Sequence, residues 1–292
     1  MKFLSFFALF LLFEINNALS QSLNHKPVFQ LNHVDICVDS VSFNKILHNT
    51  FLRDSFSFVK VFVDSTGSEI LLLGKESFVH VLPAKGFFLN RTGACLLVHH
   101  SFRWEETNIL KQYLQAFIRD SLYNRPYYST NLKIDYINVY ENSSESVKLL
   151  KFIPILQNHS KKDYQSWGYT SSNLVLGISQ KKYMSDYVGA ETSQKLFQNI
   201  VAISVTITKH ELERIQPLLT AYGYKRIGRN FELGGSPGIN ITKMEADMRI
   251  VTCTFLLSKS VERKTIVISP NATLFMNNNN AIFSYRIPNN YR

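Results

Sequence analysis

Alternating apolar and polar positions define the first element of the chain. Between residues 31 and 38, apolar side chains occupy every second position from Val34, and His33, Asp35 and Cys37 lie between them. Successive side chains of a β-strand point to opposite faces of the sheet. The pattern therefore predicts a strand with one apolar face, and with His33 and Asp35 together on the other.

A capped helix and three short strands follow this first strand. Asp39 or Ser40 can act as the N-cap of a helix that places Phe43, Ile46 and Leu47 on one apolar face. Turn-forming residues then separate three segments with the composition of strands. These segments are residues 56–63, 69–73 and 78–82. The predicted order is β-α-β-β-β.

The same order returns near the C-terminus. Residues 201–208 alternate, Thr208 and Glu211 form a capping box, and the helix that they open closes near Gly223. Three more strands are predicted at residues 224–227, 238–242 and 250–257. We predict that two segments superpose as βαβββ units, residues 31–82 and 201–257.

The middle of the chain is predicted to be a looser third unit. Its elements are strands at 94–102, 133–140 and 147–156, a helix at 105–122, and a polar loop followed by a helical segment between 158 and 200. The run Asn277–Asn280 is typical of a loop. The predicted division is a signal peptide 1–20, a first module 21–93, a divergent middle module 94–200, and a late module with a C-terminal strand 201–292.

The N-terminus has the pattern of an export signal. Lys2 precedes an apolar run over residues 3–13, and Ala18-Leu19-Ser20 is typical of a cleavage site. The run is shorter than the ~20 residues that a membrane-spanning helix needs, and no later segment is long and apolar enough. We therefore expect cleavage after Ser20 and a secreted protein with no transmembrane segment.

Cysteines and glycosylation sequences fit an extracellular location. Three cysteines, Cys37, Cys95 and Cys253, allow at most one disulfide, whose pairing stays open, and their apolar surroundings predict buried thiols. Five N-x-S/T sequences are candidate glycosylation sites. They are at Asn90, Asn142, Asn158, Asn240 and Asn271.

The formal net charge of +10 favours weak attraction to polyanions or anionic surfaces. The basic residues are scattered along the chain, and no predicted helix carries a continuous basic stripe. Specific nucleic-acid binding is therefore not expected. The oligomeric state stays open.

Several stretches resemble the glyoxalase/bleomycin-resistance group, the vicinal oxygen chelate superfamily. "LNHVDICVDS" is similar to its opening strand, and "ISVTITKHELERIQPLLTAYGYKRIG" is similar to the strand, helix and Gly-Tyr turn of a later module. Together with "LLLGKESFVHVLP" and "ISQKKYMSDY", they resemble exported glyoxalase-like proteins of unknown function. The resemblance implies an α+β fold of repeated βαβββ modules, with curved mixed sheets around a shared cleft and helices outside.

In that superfamily a divalent metal lies in the cleft, held by His or Gln of first strands and Glu of last strands. His33 matches a first-strand ligand, and His80 stands where a last-strand carboxylate is expected. The resemblance makes Ser204 the late counterpart of His33 and puts Lys151 where the middle unit should have an acid. The remaining late positions offer only the hydroxyls of Thr206, Thr252 and Thr254.

This ligand set predicts a degenerate metal site. His33 and His80 form at most a pair, and we expect no carboxylate to complete the shell, because hydroxyls are weak ligands for a dication. No cofactor is expected on this basis, although a divalent metal is possible. Asp35 is the candidate for acid/base catalysis, and an ion pair with a nearby Lys is its structural alternative.

Three functions follow from the sequence. The first is a secreted protein that binds or sequesters a small molecule or an anionic surface component. The second is a metal-dependent lyase, isomerase or dioxygenase that uses His33 and His80. The third is an extracellular surface or matrix interaction protein, suggested by the charge and the candidate glycosylation sites. We expect binding rather than catalysis.

Overall fold

A computed structural model shows a mixed α+β protein, with most described residues in strands of open sheets and few in helices. It describes residues 29–64, 67–83, 96–102, 128–133, 136–141, 152–156, 165, 168–169, 180–233, 236–243 and 249–288. Within these ranges, none of the helices has the length and apolar character needed to cross a membrane.

The first sheet is built around a central strand that pairs in opposite senses with its two neighbours. Its elements are β1 (Phe29–Val38), α1 (Ser40–Leu47), a π-helical turn (Leu52–Phe56), β2 (Phe58–Asp64), β3 (Gly67–Leu73), β4 (Phe78–Pro83), β5 (Leu96–Phe102) and, after a separate hairpin of β6 (Tyr128–Lys133) and β7 (Tyr136–Glu141), β8 (Phe152–Leu156). The strand order is β2-β3-β4-β1-β5-β8. β1 is parallel to β4 and antiparallel to β5.

The second sheet has the corresponding arrangement. Its elements follow α2 (Gln180–Val188) and a 3₁₀ turn (Gly189–Thr192), and are β9 (Phe197–Ile207), α3 (Lys209–Ala221), β10 (Lys225–Ile227), β11 (Asn230–Leu233), β12 (Ser236–Lys243), β13 (Arg249–Ser269) and β14 (Ala272–Ile287). The order is β10-β11-β12-β9-β13-β14. The central β9 is parallel to β12 and antiparallel to β13.

Both predicted helix caps are confirmed. Asp39 accepts a hydrogen bond from the Ser42 backbone N at 2.9 Å at the start of α1. In the capping box of α3, the Thr208 backbone N donates to the Glu211 carboxylate at 2.8 Å, and the Glu211 backbone N donates to Thr208 Oγ1 at 3.2 Å. Gly223, just after α3, has a φ of 84°, which glycine adopts without strain.

Two predictions about the middle and the C-terminus need correction. The strand predicted at 133–140 is divided between the hairpin strands β6 and β7. Of the strand predicted at 147–156, the structure describes residues 152–156, which form β8 as predicted. The loop predicted at Asn277–Asn280 is wrong, because these residues lie within β14. Pairing with the long β13 supplies their backbone partners, and Asn278 takes a φ of 52° where the ladder shifts register. The helix predicted at 105–122 lies outside the described residues.

The main hydrophobic core includes buried residues from both sheets and from α1 and α3. Three aromatic rings join the sheets at one point: Phe197 lies 5.7 Å from Phe56 and 4.6 Å from Phe255, measured between centroids. Gly74, in the turn between β3 and β4, packs directly on these rings, and an added Cβ there would lie 2.8 Å from the Phe197 ring. The interior therefore tolerates little change of volume at this point.

A buried polar cluster around Asp39 forms a second joint. Asp39 Oδ2 accepts hydrogen bonds from Ser42 Oγ at 2.6 Å, Asn271 Nδ2 at 3.2 Å and Tyr285 Oη at 3.2 Å. The last two donors come from the hairpin of β13 and β14. Ser42 Oγ also lies 2.7 Å from Ser269 Oγ. Asp39 thus caps α1 and ties it to the second sheet.

Asp39→Ala is expected to lower the free energy of unfolding by about 2–4 kcal/mol, because it removes a cap and leaves buried donors without their acceptor. Thr208→Ala is the matched control. It removes the cap of α3, which makes no inter-sheet hydrogen bond to another described residue, and should cost about 1 kcal/mol. Urea unfolding of the two variants measures the difference. Equal costs would show that Asp39 acts only as a cap.

The same carboxylate gives a pH test. Burial alone would raise the pKa of Asp39, but the hydrogen bonds from Ser42, Asn271 and Tyr285 hold it below its ordinary value of 3.8. A depressed pKa in the folded state gives stability that is present above 3.8 and is lost as the pH falls through the lower folded value. The stability difference between the parent and Asp39→Asn should therefore shrink in this acid range.

Candidate metal centre

The parallel pairing of β1 with β4 brings the candidate ligands together. In this register Asp35 lies opposite His80, and His33 lies opposite Phe78. Alternation along β1 keeps His33 and Asp35 on one face of the sheet. Val34 is on the other face, which packs against α1 in the core. One acid and two imidazoles therefore meet on the side of the sheet opposite α1.

The distances place one carboxylate oxygen between both rings. Asp35 Oδ1 is 3.2 Å from His33 Nε2 and 3.3 Å from His80 Nδ1. Among the described residues, these three form the group whose ligand atoms all lie within 4.8 Å of one another. The side chain of Asp35 is 4% exposed, against 14% for His33 and 17% for His80. The carboxylate thus lies at the bottom of the site, and both rings reach solvent.

The other nitrogen of each imidazole faces an oxygen acceptor. His33 Nδ1 lies 2.8 Å from Asn32 Oδ1, and His80 Nε2 lies 3.0 Å from Glu69 Oε2. A register shift in the β1–β5 ladder between Leu31 and His33 bends the strand where Asn32 and His33 meet. Both outer oxygens can accept an N–H, and a neutral ring in that tautomer presents the lone pair of its inner nitrogen to a metal ion beside Asp35.

Apolar packing fixes the rings from the sides. The His33 ring stacks on Phe78, with 4.4 Å between centroids and 10° between planes. Leu71 and Leu73 of β3 form a small buried cluster with Met184 and Val188 of α2. Since Leu71 is the register partner of His80, this cluster lies on the face that carries the site. Helix α2 therefore covers one flank of the site.

The two carboxylates hold a proton on His80. Burial would lower the pKa of His80, but hydrogen bonds to Asp35 and Glu69 and the negative charges of both raise it to about 9. In the metal-free protein at neutral pH, His80 is therefore protonated and paired with two acids. A metal ion at Nδ1 has to displace that proton.

The structure brings the two predicted histidines together and changes the rest of the predicted ligand set. His33 and His80 come together as predicted, but the expectation that no carboxylate would join them is wrong. Asp35 joins them because the crossover from β1 to β4 sets it opposite His80. Asp35 is paired with His33 and His80, whereas the structural alternative had been an ion pair with a lysine. Glu69 was missed because its approach to His80 depends on the register of the β3–β4 hairpin.

The second sheet has different side chains at the corresponding positions. The sequence resemblance made Ser204 the counterpart of His33, and this is wrong. Ser204 precedes the helix cap Thr208 by the same number of residues as Asp35 precedes the cap Asp39, so Ser204 is the counterpart of Asp35. The His33 position holds Ala202. Asn240 pairs with Ser204 as His80 pairs with Asp35. Thr252 is the antiparallel partner of Ser204, and Lys151 lies outside the described residues.

Several other predicted positions can be placed. Cys37 and Cys253 are buried as predicted, and burial raises the pKa of Cys253 to about 12. Asn240 lies in β12 between β11 and β9, and Asn271 lies in the turn between β13 and β14. The remaining ones, Cys95, Asn90, Asn142, Asn158 and the signal segment 1–20, lie outside the described residues.

Comparisons with known proteins identify no relative. No family model matches the chain, and no curated protein matches it. The chemistry of the site is therefore inferred from its own geometry.

Proposed function

We propose that this protein binds one divalent metal ion through His33, Asp35 and His80 and presents it to a small oxygen-bearing molecule. One observation carries the proposal: both rings direct a nitrogen at the same Asp35 oxygen, at 3.2 and 3.3 Å, while their other nitrogens lie within hydrogen-bond distance of Asn32 Oδ1 and Glu69 Oε2. Hydrogen bonds from the far nitrogen of a metal-bound imidazole are a regular feature of metal sites, where they fix the ring.

Both distances to Asp35 fit ligands of one ion. Ligand atoms about 2.0–2.2 Å from one metal lie about 3 Å apart at a right angle and about 3.4 Å apart at the tetrahedral angle. The two distances to Asp35 fall between these values. Two histidines and one carboxylate are a set typical of non-haem iron(II) and of catalytic zinc. We therefore propose a first-row divalent metal, with calcium and magnesium excluded by the two imidazoles.

Three protein ligands leave coordination positions open. A metal held in this way can polarise a substrate oxygen or lower the pKa of bound water. Asp35 then acts as a ligand, and its proposed role in acid/base catalysis is replaced. This arrangement favours the metal-dependent lyase, isomerase or dioxygenase over a degenerate site that only sequesters a ligand.

We further propose that the two sheets are two copies of a βαβββ module, as in the glyoxalase-like proteins that the sequence resembles. The matching strand orders and the matching helix caps support this. In this proposal the first module carries the metal and the second has lost its ligands, with Ala202 and Ser204 in place of His33 and Asp35. The export signal predicted at 1–20 would make the protein extracellular.

Equilibrium dialysis against zinc, cobalt(II) and manganese(II), followed by elemental analysis, tests the proposal. We expect one equivalent of bound metal for each chain. Because the proton on His80 has to leave, the affinity should rise about tenfold for each unit of pH between roughly 7 and 9. Less than about a tenth of an equivalent under all these conditions would refute metal binding.

Glu69→Gln is expected to weaken metal binding by about 10- to 100-fold, because Glu69 orients His80 and makes its ring more basic. Glu262→Gln is the control, since Glu262 is an exposed acid of β13. Competition with a chromophoric chelator measures both affinities. Equal affinities in the two variants would show that the His80–Glu69 contact has no part in metal binding.

A further inference from the structure

A cavity of about 250 Å³ opens beside α3, on the helix-bearing side of the second sheet. The described residues that line it are of two kinds. Ile207, Leu212 and Phe231 make it apolar, and Lys209, Arg226 and Arg229 bring three cations, with Thr208 between. No acid is among these lining residues. Apolar walls that also carry cations suit a molecule with an apolar body and an anionic group.

Contacts within the protein already hold one of the lining cations, Arg226, in place. Arg226 Nη1 donates to Gln216 Oε1 at 2.8 Å, its Nε donates to the Gly228 carbonyl at 3.1 Å, and its guanidinium lies 5.9 Å from the Phe231 ring centroid. These contacts hold the guanidinium over the cavity wall. An arginine fixed in this way loses little freedom on binding a carboxylate.

The start of α1, on the first sheet, corresponds to the start of α3, where the cavity lies. At the start of α1, the turn between β13 and β14 packs on the cap through Asn271 and Ser269. At the start of α3, the described residues leave a cavity at the matching cap, Thr208. Within the part of the chain that the structure describes, the two helix starts therefore differ in their covering, and basic residues surround the second.

The volume limits the size of the ligand. A cavity of 250 Å³ equals about eight water molecules at about 30 Å³ each. It lies below the range of roughly 300–1,000 Å³ for drug-sized ligands. This volume suits a molecule with on the order of ten non-hydrogen atoms.

From these features we infer a second ligand site, in which this cavity binds a free small amphipathic monoanion such as a medium-chain carboxylate. The apolar chain lies against Leu212 and Phe231, and the carboxylate lies between Arg226 and Arg229. The site is separate from the candidate metal centre, which lies on the first sheet, and does not depend on it.

Calorimetric titration of the full chain with octanoate, octan-1-ol and octyltrimethylammonium tests the inference. We expect saturable binding of one octanoate, with octan-1-ol at least about tenfold weaker because it lacks the charge-assisted contacts. The quaternary ammonium should not bind. Equal affinity for octanoate and octan-1-ol, or no saturable binding of octanoate at about 10 mM, would overturn the inference.

Two variants and a control locate the site. Arg229→Gln should weaken octanoate binding about tenfold, and Leu212→Trp should abolish it by filling the cavity. Lys225→Gln removes an exposed cation of β10 that does not line the cavity, and should leave binding unchanged. Thermal unfolding verifies that each variant is folded.

The remaining outcomes also decide the question. Octanoate binding that survives in folded Leu212→Trp, or that falls equally in Lys225→Gln and Arg229→Gln, would place the anion elsewhere. Vesicles of phosphatidylcholine with phosphatidylglycerol distinguish a lipid headgroup from a free ligand. Sedimentation with these vesicles that Leu212→Trp weakens would show that the cavity serves a membrane lipid, and would contradict the inference.

Discussion

Asp35→Ala is expected to weaken binding of a divalent metal by at least about 100-fold, which is more than the loss of an outer hydrogen-bond partner costs. Asp35 Oδ1 is the atom that both imidazoles approach, and its charge offsets that of the ion. Without it, His33 and His80 remain as two neutral ligands, an incomplete set. Elemental analysis after dialysis and chelator competition measure the loss.

The control for this variant is Asp54→Ala. Asp54 is an exposed acid paired with Arg53, and its side chain is 58% exposed. Its removal should leave metal stoichiometry and affinity unchanged. If Asp35→Ala retains one equivalent of metal with the parent's affinity, the ion binds elsewhere, and the three-ligand site is wrong.

Phe197→Ala is expected to lower the free energy of unfolding by about 3–5 kcal/mol, the usual cost of removing a fully buried aromatic ring. Phe197 is completely buried and contacts Phe56 of the π-helical turn before β2 and Phe255 of the second sheet. The close approach of Gly74 leaves little freedom for the surroundings to collapse into the space. Chemical denaturation gives the change.

Leu256→Ala is the matched control, because Leu256 follows Phe255 in β13 but is 41% exposed. It should cost less than about 1 kcal/mol, since a half-exposed side chain leaves no cavity. A cost for Phe197→Ala as small as that of the control would mean that the aromatic joint does not hold the two sheets together.

The elements that could be predicted are those whose signal is local. Alternation alone placed His33 and Asp35 on one face of β1, and the sequence around Asp39 and Thr208 was enough to locate both helix starts. The Asn run in β14 was misassigned because its strand structure depends on pairing with the distant β13. The composition of this run favours a loop, but its pairing with β13 makes it a strand.

The full ligand set depends on the register between β1 and β4, and the sequence of either strand alone does not determine this register. Asp35 and His80 are far apart in the chain, and they meet because β4 crosses over to lie parallel to β1. In the superfamily that the sequence resembles, a carboxylate ligand comes from the last strand, and this chain has His80 at that position. The His-x-Asp spacing of His33 and Asp35 was the available signal, since residues two apart on a strand share a face.

The site is tested most directly by anomalous diffraction from crystals of the full chain soaked in cobalt(II) at a pH near 8. We predict one anomalous peak at about 2.0–2.2 Å from His33 Nε2, Asp35 Oδ1 and His80 Nδ1, with His80 Nε2 still donating to Glu69. A peak bound instead by His80 Nε2 and Glu69, or no peak near these residues at full soaking, would contradict the proposed metal centre.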